Sequence, residues 1–351
     1  MKYRPLAHTG IRVSEIGFGV WTLATGWWGK VSPDQAVSLL RKAKDSGINF
    51  FDTADTYGNG LGETLLADAF AGQRSEIVIS TKVGYNFYDY ADQRTGQQEI
   101  PQDFSPAYIR KACEGSLARL KTDWIDLYQI HNPKMDAVLQ DNLFAELEKL
   151  QREGKIRAWG ASMGPAIGWL EEATKLMRER KTRVMQMIYN LLEQNPGREF
   201  IETGRETNTA FLVRVPHSSG LLEGKYTKDT TFDANDHRSH RKREWLTNGL
   251  KKLEKLEFLT SGKNRTLGQV ALKYILAEPL IASVFPNIYN EAQIEEFCRA
   301  SELDDLGADE MSRINGLYDN NFYLENVGAG LRARPELEQG LGRPQGAAPT
   351  S

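Results

Sequence analysis

The stretch GINFFDTADTYGNG, residues 47–60, holds a short apolar run that ends at an acidic side chain and continues into a glycine-containing loop. Residues 48–52 have the isoleucine and phenylalanine content of a buried strand, and this run ends at Asp52. Tyr57 follows in the loop. The stretch therefore predicts a buried strand with a carboxylate at its end and a phenol just beyond it.

Two later runs repeat this arrangement of an apolar strand with a polar end. In ISTKVG, residues 79–84, Lys82 lies near the end of the run, and in WIDLYQIH, residues 124–131, His131 is the last residue. All strands of a parallel barrel point the same way, so their carboxyl ends form one rim. We therefore expect the carboxylate, the phenol, the ammonium and the imidazole to meet at that rim.

The chain as a whole alternates short apolar runs with longer amphipathic stretches, which is the pattern of βαβ units. Ser-Pro pairs at residues 32–33 and 105–106 open predicted helices that run to Gly47 and Leu120. The predicted strands number eight, the count that closes a (β/α)8 TIM barrel of the α/β class. These strands are residues 15–19, 48–52, 76–82, 124–131, 157–162, 184–190, 210–216 and 281–286.

Segments outside this alternation have their own predictions. Residues 2–18 read as a β-hairpin turning at His8-Thr9-Gly10, which would plug the N-terminal mouth of the barrel. Long loops at the C-terminal rim are expected at residues 84–103 and 221–242, and such loops are commonly functional. We expect one barrel domain over residues 1–325. The stretch 326–351 is rich in glycine, proline and alanine and predicts a mobile tail.

The composition excludes several classes of protein. With 351 residues and a net charge of -3, the chain lacks the basic field of a nucleic-acid-binding protein. The two cysteines, Cys113 and Cys298, are too few for a disulfide scaffold and indicate a reducing compartment. No apolar stretch approaches the about 20 residues that cross a bilayer, and the first residues lack a signal-peptide pattern. We expect a cytoplasmic protein without nucleic-acid or membrane partners, and the oligomeric state stays open.

The four polar side chains at the predicted rim suit carbonyl chemistry. A phenol gives up its proton more readily when a nearby cation stabilises the phenolate, and Lys82 would supply that cation. Asp52 would hold the ammonium in place, and His131 would orient a carbonyl group or relay the proton. No metal site is predicted, since Lys82 would repel a cation. A Schiff-base aldolase with Lys82 as the nucleophile stays open.

Four segments carry a family resemblance: GINFFDTADTYGNG, ISTKVG, WIDLYQIH, and GKIRAWGAS at residues 154–162. They resemble signature segments of the aldo-keto reductase superfamily, and the similarity extends over about residues 1–325. The resemblance implies an NAD(P)(H)-dependent oxidoreductase that interconverts a carbonyl and an alcohol by hydride transfer. Carried over by position, it makes Tyr57 the general acid and base, with Asp52, Lys82 and His131 completing a catalytic tetrad.

The same resemblance implies where the cofactor binds. No GxGxxG motif follows a predicted strand, so a Rossmann site is not expected. Instead Ser162 and Gln186 would bind the nicotinamide carboxamide, and backbone amides of residues 218–221 would bind the pyrophosphate. The positions assigned to the cofactor are Trp21, Ser162, Gln186, Arg214, Pro216, Ser218, Gly220, Leu221, Lys225, Asn287, Gln293 and Glu296.

The sequence departs from the family pattern at several of these positions. Met163 stands where Asn is frequent, and Arg214 stands where an aromatic ring often stacks on the nicotinamide, although a guanidinium also stacks. Residues 287–289, Asn-Ile-Tyr, replace a glycine and a basic residue that usually grip the 2′-phosphate of NADPH, and Phe297 replaces a common Asn. NADP(H) is expected as the cofactor, with NAD(H) as the alternative.

Aromatic side chains crowd the predicted rim loops. They are Trp21, Trp27, Trp28, Tyr85, Phe87, Tyr88 and Tyr90. They suit a small carbonyl or alcohol substrate such as a sugar or an aromatic compound, and loop packing is the alternative explanation. His217 and residues 236–238 either line the pocket or form a solvated charge cluster. A regulatory module that binds the cofactor and senses redox state is the alternative to an enzyme.

Overall fold

Eight parallel strands follow one another around a ring in a computed structural model that describes residues 1–90, 99–164, 169–239 and 241–324. A parallel bridge between Ile16 and Val284 joins the two ends of the sheet. An antiparallel hairpin, β1 (Tyr3–Pro5) and β2 (Arg12–Ser14), precedes the ring. The ring strands are β3 (Phe18–Gly19), β4 (Phe50–Asp52), β5 (Val78–Val83), β6 (Ile125–His131), β7 (Ile156–Ser162), β8 (Val184–Ile188), β9 (Ala210–Arg214) and β10 (Ile281–Phe285).

Each of the predicted strands is present, so the (β/α)8 barrel is confirmed. The largest difference lies in the first strand, predicted at residues 15–19, where only Phe18 and Gly19 form the regular ladder. Ile16 contributes an isolated bridge to β10. The predicted tail, residues 326–351, and residues 91–98 of the first long loop lie outside the described residues.

Helices connect the strands and cover the outside of the barrel. Both predicted helix starts are confirmed, since Ser32 and Gln35 form a reciprocal capping box and the Ser105 side chain accepts from the Tyr108 amide. No described helix is long and apolar enough to cross a membrane. The helices are α1 (Trp21–Ala24), α2 (Pro33–Asp45), α3 (Leu61–Ala69), α4 (Phe87–Tyr90), α5 (Pro106–Leu120), α6 (Met135–Val138), α7 (Asp141–Arg152), α8 (Leu170–Arg178), α9 (Gly197–Thr207), α10 (Arg243–Glu254), α11 (Leu267–Leu276), α12 (Glu291–Ala300) and α13 (Ala308–Asp319).

Alternate residues of each strand point into the barrel, and this period places the polar side chains. The lowest inward layer is apolar and consists of Phe50, Val78, Leu127, Ala158, Val184 and Ala210. Moving along each strand in steps of two residues from this layer leads to polar inward positions at the carboxyl ends. These positions are Asp52, Lys82, His131, Ser162, Gln186 and Arg214.

The hairpin plugs the N-terminal mouth of the barrel, as predicted. Leu6, Ile11 and Val13 are buried in one cluster with the lowest inward layer. Arg4 fixes the hairpin to the wall, because its guanidinium donates to the Ile281 carbonyl oxygen at 3.0 Å and pairs with Glu15 at 3.0 Å. The plug therefore completes the core at the end opposite the polar rim.

Replacing Leu6, which has 0% exposure, with alanine should lower the free energy of unfolding by about 2–5 kcal/mol, since the vacated volume lies inside the barrel. Urea unfolding followed by circular dichroism measures the change. Leu139→Ala is the control, because that side chain is 54% exposed. A loss below about 1 kcal/mol at Leu6 would show that the plug is not part of the cooperative core.

Candidate active site

A buried ion pair lies at the carboxyl-end mouth of the barrel. Lys82 Nζ donates to Asp52 Oδ2 at 2.5 Å and to the Thr53 carbonyl oxygen at 2.7 Å. Gln129 Nε2 donates to the other carboxylate oxygen at 3.2 Å and to Ser80 Oγ at 2.7 Å. Both charges therefore have hydrogen-bonding partners, which a buried ion pair needs in order to be stable.

Tyr57 and His131 lie beside this pair. The Tyr57 and His131 ring centroids are 5.9 Å apart, and Lys82 Nζ lies 5.2 Å from the Tyr57 ring centroid. Tyr85 packs edge-on against His131 at 5.1 Å. The structure thus brings the four predicted side chains together. No group of three or more metal-binding side chains occurs in the described part of the chain.

The turn that presents Tyr57 requires a glycine immediately after it. Gly58 has φ of 59°, in the left-handed region, and a Cβ atom there would lie 2.4 Å from the Ala24 carbonyl oxygen. The Tyr57 amide donates to the Ala54 carbonyl oxygen at 3.0 Å. The backbone of this loop is therefore tightly packed, which fixes the origin of the phenol side chain.

Ser162 and Gln186 form a second polar group at the mouth. Ser162 Oγ donates to Gln186 Oε1 at 3.0 Å, and each residue is 1% exposed. Gln186 Nε2 is buried and has no acceptor among the described residues. Met163 lies beside them, and its carbonyl oxygen accepts from Arg214 Nη2 at 3.1 Å. An unused buried donor in this place fits a ligand that offers a carbonyl oxygen.

The segment after β9 has an unusual backbone. Val215, Ser218 and Ser219 have φ of 58°, 46° and 56°, all in the left-handed region. The amides of Ser218, Gly220 and Leu221 donate to carbonyl oxygens within this same turn, at 3.0–3.3 Å. In this conformation those amides are occupied within the turn, and a phosphate would have to compete for them. Pro216 is buried beneath them.

A polar cluster connects this segment with α12. Glu223 Oε2 accepts from Gln293 Nε2 at 3.1 Å and pairs with Lys225 Nζ at 3.2 Å. Gln293 Oε1 also accepts from the Tyr289 amide at 3.0 Å. Lys225 and Gln293 are thus close together, as their assignment to one ligand requires, and Glu223 is a carboxylate that sequence reasoning missed.

The remaining assigned positions surround this cluster more loosely. Glu296 Oε1 accepts from Thr266 Oγ1 at 2.7 Å, and Asn287 is half-buried just after β10. Trp21 lies on α1 after the first ring strand, where Oγ1 of the neighbouring Thr22 donates to the Ile288 carbonyl oxygen at 2.9 Å, next to Asn287. The loop that carries Trp21 therefore contacts the segment after β10, which carries Asn287.

An aromatic cluster joins Trp21 to the second long loop. The rings of Trp21 and His237 meet edge to face at 5.1 Å. Arg238 lies 4.4 Å from the Trp28 ring centroid and pairs with Asp236 at 2.5 Å. The Arg238 and Asp236 side chains are 14% and 13% exposed, so the prediction of a solvated charge cluster is wrong. The acidic and basic side chains hold the loop against aromatic rings of the first rim loop.

The family model described as "Aldo/keto reductase family" matches residues 15–319. The chain belongs to the aldo/keto reductase family. This membership confirms the identification of the chain as an NAD(P)-dependent oxidoreductase.

Relatives of this aldo/keto reductase match along most of their length. "Uncharacterized oxidoreductase YqkF" of Bacillus subtilis is 29% identical, with 92% of this chain and 98% of that protein covered. The holo form of aldo-keto reductase AKR11C1 from Bacillus halodurans is 30% identical, covers 90% of this chain and 96% of its own, and has a TM-score of 0.72. Glycerol dehydrogenase AKR11B4 from Gluconobacter oxydans is 25% identical, with coverage of 93% and 98% and a TM-score of 0.78.

His217 does not line the pocket of this aldo/keto reductase. It is 1% exposed and packs on the Phe297 ring at 4.6 Å. Its Nε2 lies 3.1 Å from the Gly268 carbonyl oxygen. Burial lowers the pKa of the imidazole to about 4, so the ring is neutral at physiological pH and helps to anchor the segment after β9 to α11.

Gln129 and Asp55 are further polar residues that sequence reasoning missed. Gln129 could have been found from its inward position between Leu127 and His131. Asp55 is fully buried, and neither carboxylate oxygen is hydrogen-bonded to a side chain of the described residues. Burial first, and then the nearby Glu63, raises the pKa of the Asp55 carboxyl well above its usual value. The folded protein therefore holds this carboxyl in its neutral form as the pH rises above 4.

Asp55→Asn should make the stability less dependent on pH. The pKa of the carboxyl is raised on folding, so wild-type stability from this group is present below about pH 4 and falls as the pH rises toward the folded pKa. We therefore compare the free energies of unfolding of Asp55→Asn and the wild type at each pH. The value for Asp55→Asn minus the value for the wild type should increase with pH, by up to about 1.4 kcal/mol per pH unit. Urea unfolding between pH 4.5 and 8 measures it.

Asp229→Asn is the matched control, because Asp229 is exposed in the second long loop. Its difference from the wild type should stay constant over the same pH range. An Asp55→Asn difference that also stays constant would show that Asp55 titrates alike in the folded and unfolded states.

Proposed function

We propose that this aldo/keto reductase interconverts an aldehyde or ketone and the corresponding alcohol, with Tyr57 as general acid and base. One observation carries the proposal: the Lys82 ammonium, held by Asp52 at 2.5 Å, lies 5.2 Å from the Tyr57 ring. The phenol and the imidazole of His131 share the same open mouth of the barrel. The catalytic domain would be residues 1–325.

The proton chemistry follows from these contacts. During reduction the Tyr57 hydroxyl donates its proton to the carbonyl oxygen of the substrate, on which negative charge develops. The Lys82 ammonium stabilises the phenolate that remains, and Asp52 keeps the ammonium aimed toward the phenol. His131 orients the carbonyl oxygen by a hydrogen bond. In the oxidation direction the phenolate takes the proton of the alcohol.

We propose NADP(H) as the cofactor, with NAD(H) as the alternative. Ser162 and Gln186 would hold the carboxamide, and the buried unused donor at Gln186 Nε2 supports this fit. The face of the Arg214 guanidinium would stack on the nicotinamide. When bound, the reduced nicotinamide supplies the hydride. The segment after β9 would hold the phosphates and the adenosine together with the Glu223 cluster, which consists of Glu223, Lys225 and Gln293. Lys225 is the cation that this cluster offers to the ligand.

The aldolase alternative has less support. A Schiff base requires a neutral amine with access to the substrate, whereas Lys82 has 0% exposure and donates to both Asp52 and Thr53. Borohydride trapping with a carbonyl substrate would label Lys82 if the aldolase were correct. The regulatory alternative predicts that the bound cofactor is not turned over by any aldehyde or ketone.

Tyr57→Phe should lower kcat for carbonyl reduction by about 100-fold or more, because the proton donor is lost while the ring remains. The measurement is cofactor oxidation with a panel of sugars, aromatic aldehydes, quinones and keto-steroids. Cofactor binding, followed by fluorescence titration, should change little.

Tyr323→Phe provides the control, since that side chain is 68% exposed. Its kcat should equal that of the wild type. Activity of Tyr57→Phe within about threefold of the wild type on every active substrate would contradict the proposed role of the phenol.

The two cofactors should bind with dissociation constants within about tenfold of each other, because the only described cation in the Glu223 cluster, Lys225, is paired with a carboxylate. Glu223→Gln should shift this ratio toward NADPH by about tenfold, since Lys225 becomes available to the 2′-phosphate. Fluorescence titration of both cofactors gives the ratio. Glu295→Gln, an exposed carboxylate on α12, is the control. A large wild-type preference for NADPH, or an unchanged ratio in Glu223→Gln, would contradict this role.

A further inference from the structure

Arg214 is a cation at the barrel mouth that forms no ion pair with the described residues. It is the last residue of β9, and its backbone is level with Ile188 and Phe285 on the neighbouring strands. The side chain is half-buried, and its one hydrogen bond within the described chain runs from Nη2 to the Met163 carbonyl oxygen at 3.1 Å. A guanidinium has five N–H donors, so most of them remain available.

The acidic groups that surround Arg214 are bound elsewhere. Asp52 pairs with Lys82 at 2.5 Å. Glu193 accepts from Asn190 Nδ2 at 2.8 Å and from Ser218 Oγ at 3.0 Å. Burial lowers the pKa of Arg214, and the Tyr57 phenol and Asp52 are the groups that oppose this shift most. The guanidinium therefore lies at the same carboxyl-end mouth as the proposed proton donor, and no carboxylate of the described residues forms an ion pair with it.

A cation in this position is costly unless a ligand compensates it. Removing a guanidinium from water without a partner of opposite charge lowers stability, and the usual solution is an ion pair. Arginine presents a planar fork that matches a carboxylate or phosphate group. The mouth of the barrel is where a substrate has to approach Tyr57, so a charged substrate would supply the missing partner.

We infer that Arg214 binds an anionic group of the substrate, so that carbonyl compounds carrying a carboxylate or a phosphate are preferred over neutral ones. The inference rests on the proposed function, because it assigns the substrate class of the same site. It is compatible with stacking on the nicotinamide, since stacking uses the face of the guanidinium and anion binding uses the N–H groups at its edge.

The test compares matched substrates that differ in charge: succinic semialdehyde with butanal, and glyceraldehyde 3-phosphate with glyceraldehyde. The wild type should have a kcat/KM at least about tenfold higher for the charged member of one or both pairs. The carboxylate and phosphate pairs show which anion is favoured. In the pair that shows the preference, Arg214→Gln should lower the ratio of kcat/KM for the charged over the neutral substrate to about one or below. Arg214→Lys should retain part of the preference. Arg152→Gln, a 70% exposed arginine on α7, should keep the wild-type ratio.

If Arg214→Gln lowers kcat/KM equally for both members of each pair and also weakens cofactor binding, then Arg214 serves the cofactor alone and the inference is overturned. The inference is also overturned if the wild type has nearly the same kcat/KM for the charged and the neutral substrate in both pairs. A binding measurement separates this failure from failure of the proposed function. Calorimetry measures the binding of succinic semialdehyde and of glyceraldehyde 3-phosphate to the NADP⁺-bound protein, in a buffer without phosphate or carboxylate. At least one of the two compounds should bind to the wild type. Its dissociation constant should rise about tenfold or more in Arg214→Gln. Unchanged binding would overturn the inference even if Tyr57→Phe behaves as expected.

Discussion

The functional rim depends on one constraint, which is that side chains alternate between the two faces of a closed parallel sheet. The ladders place Lys82 beside Gln129, His131 beside Ser162, and Ser162 beside Gln186. Neighbouring strands are about 4.8 Å apart, so inward residues at the carboxyl ends are forced close together. A shift of one residue in any strand would turn its polar end group toward the apolar layer between the strands and the helices. The apolar layer below and the hairpin plug therefore fix the register that assembles the polar mouth.

The same constraint explains which features could be predicted from the sequence. The eight strands, the two capped helices and the positions of Asp52, Tyr57, Lys82 and His131 depend on local periodicity and on where each apolar run ends, and both are visible in the chain. Contacts between distant loops leave no such pattern. The packing of Arg238 against the Trp28 ring is such a contact. The bonds of the Ser218, Gly220 and Leu221 amides within their own turn depend on left-handed backbone angles that the residue types there do not indicate. For that reason the sequence leaves two alternatives open for residues 236–238, a pocket lining or a solvated charge cluster, and the burial of Asp236 and Arg238 excludes the second.

Four ionisable groups near the mouth differ in how their charge is compensated. Lys82 and Asp52 stay paired and hydrogen-bonded, which leaves the ammonium available to stabilise a phenolate. Neither carboxylate oxygen of Asp55 bonds to a side chain of the described residues, and burial raises the pKa of this carboxyl, which favours its neutral form. Arg214 resembles Asp55 in lacking a partner, and burial likewise shifts its pKa toward the neutral form, but a guanidinium keeps its proton under all ordinary conditions. Of the four, Arg214 alone keeps a charge that forms no ion pair with the described residues.

This difference bears on how the site distinguishes substrates. Asp52, Lys82 and His131 lie on strands above a packed core, and Tyr57 lies in the loop after β4, so any substrate that reaches the phenol meets the same geometry. Selectivity has to come from groups that contact the remainder of the substrate, since fold and chemistry alone do not determine it. An aromatic wall such as Trp21 and Trp28 discriminates weakly between similar rings, because one apolar contact more or less contributes only about 1–3 kcal/mol. A partly desolvated cation discriminates strongly, because a neutral substrate leaves it unpaired. Arg214 is therefore placed to determine the substrate class.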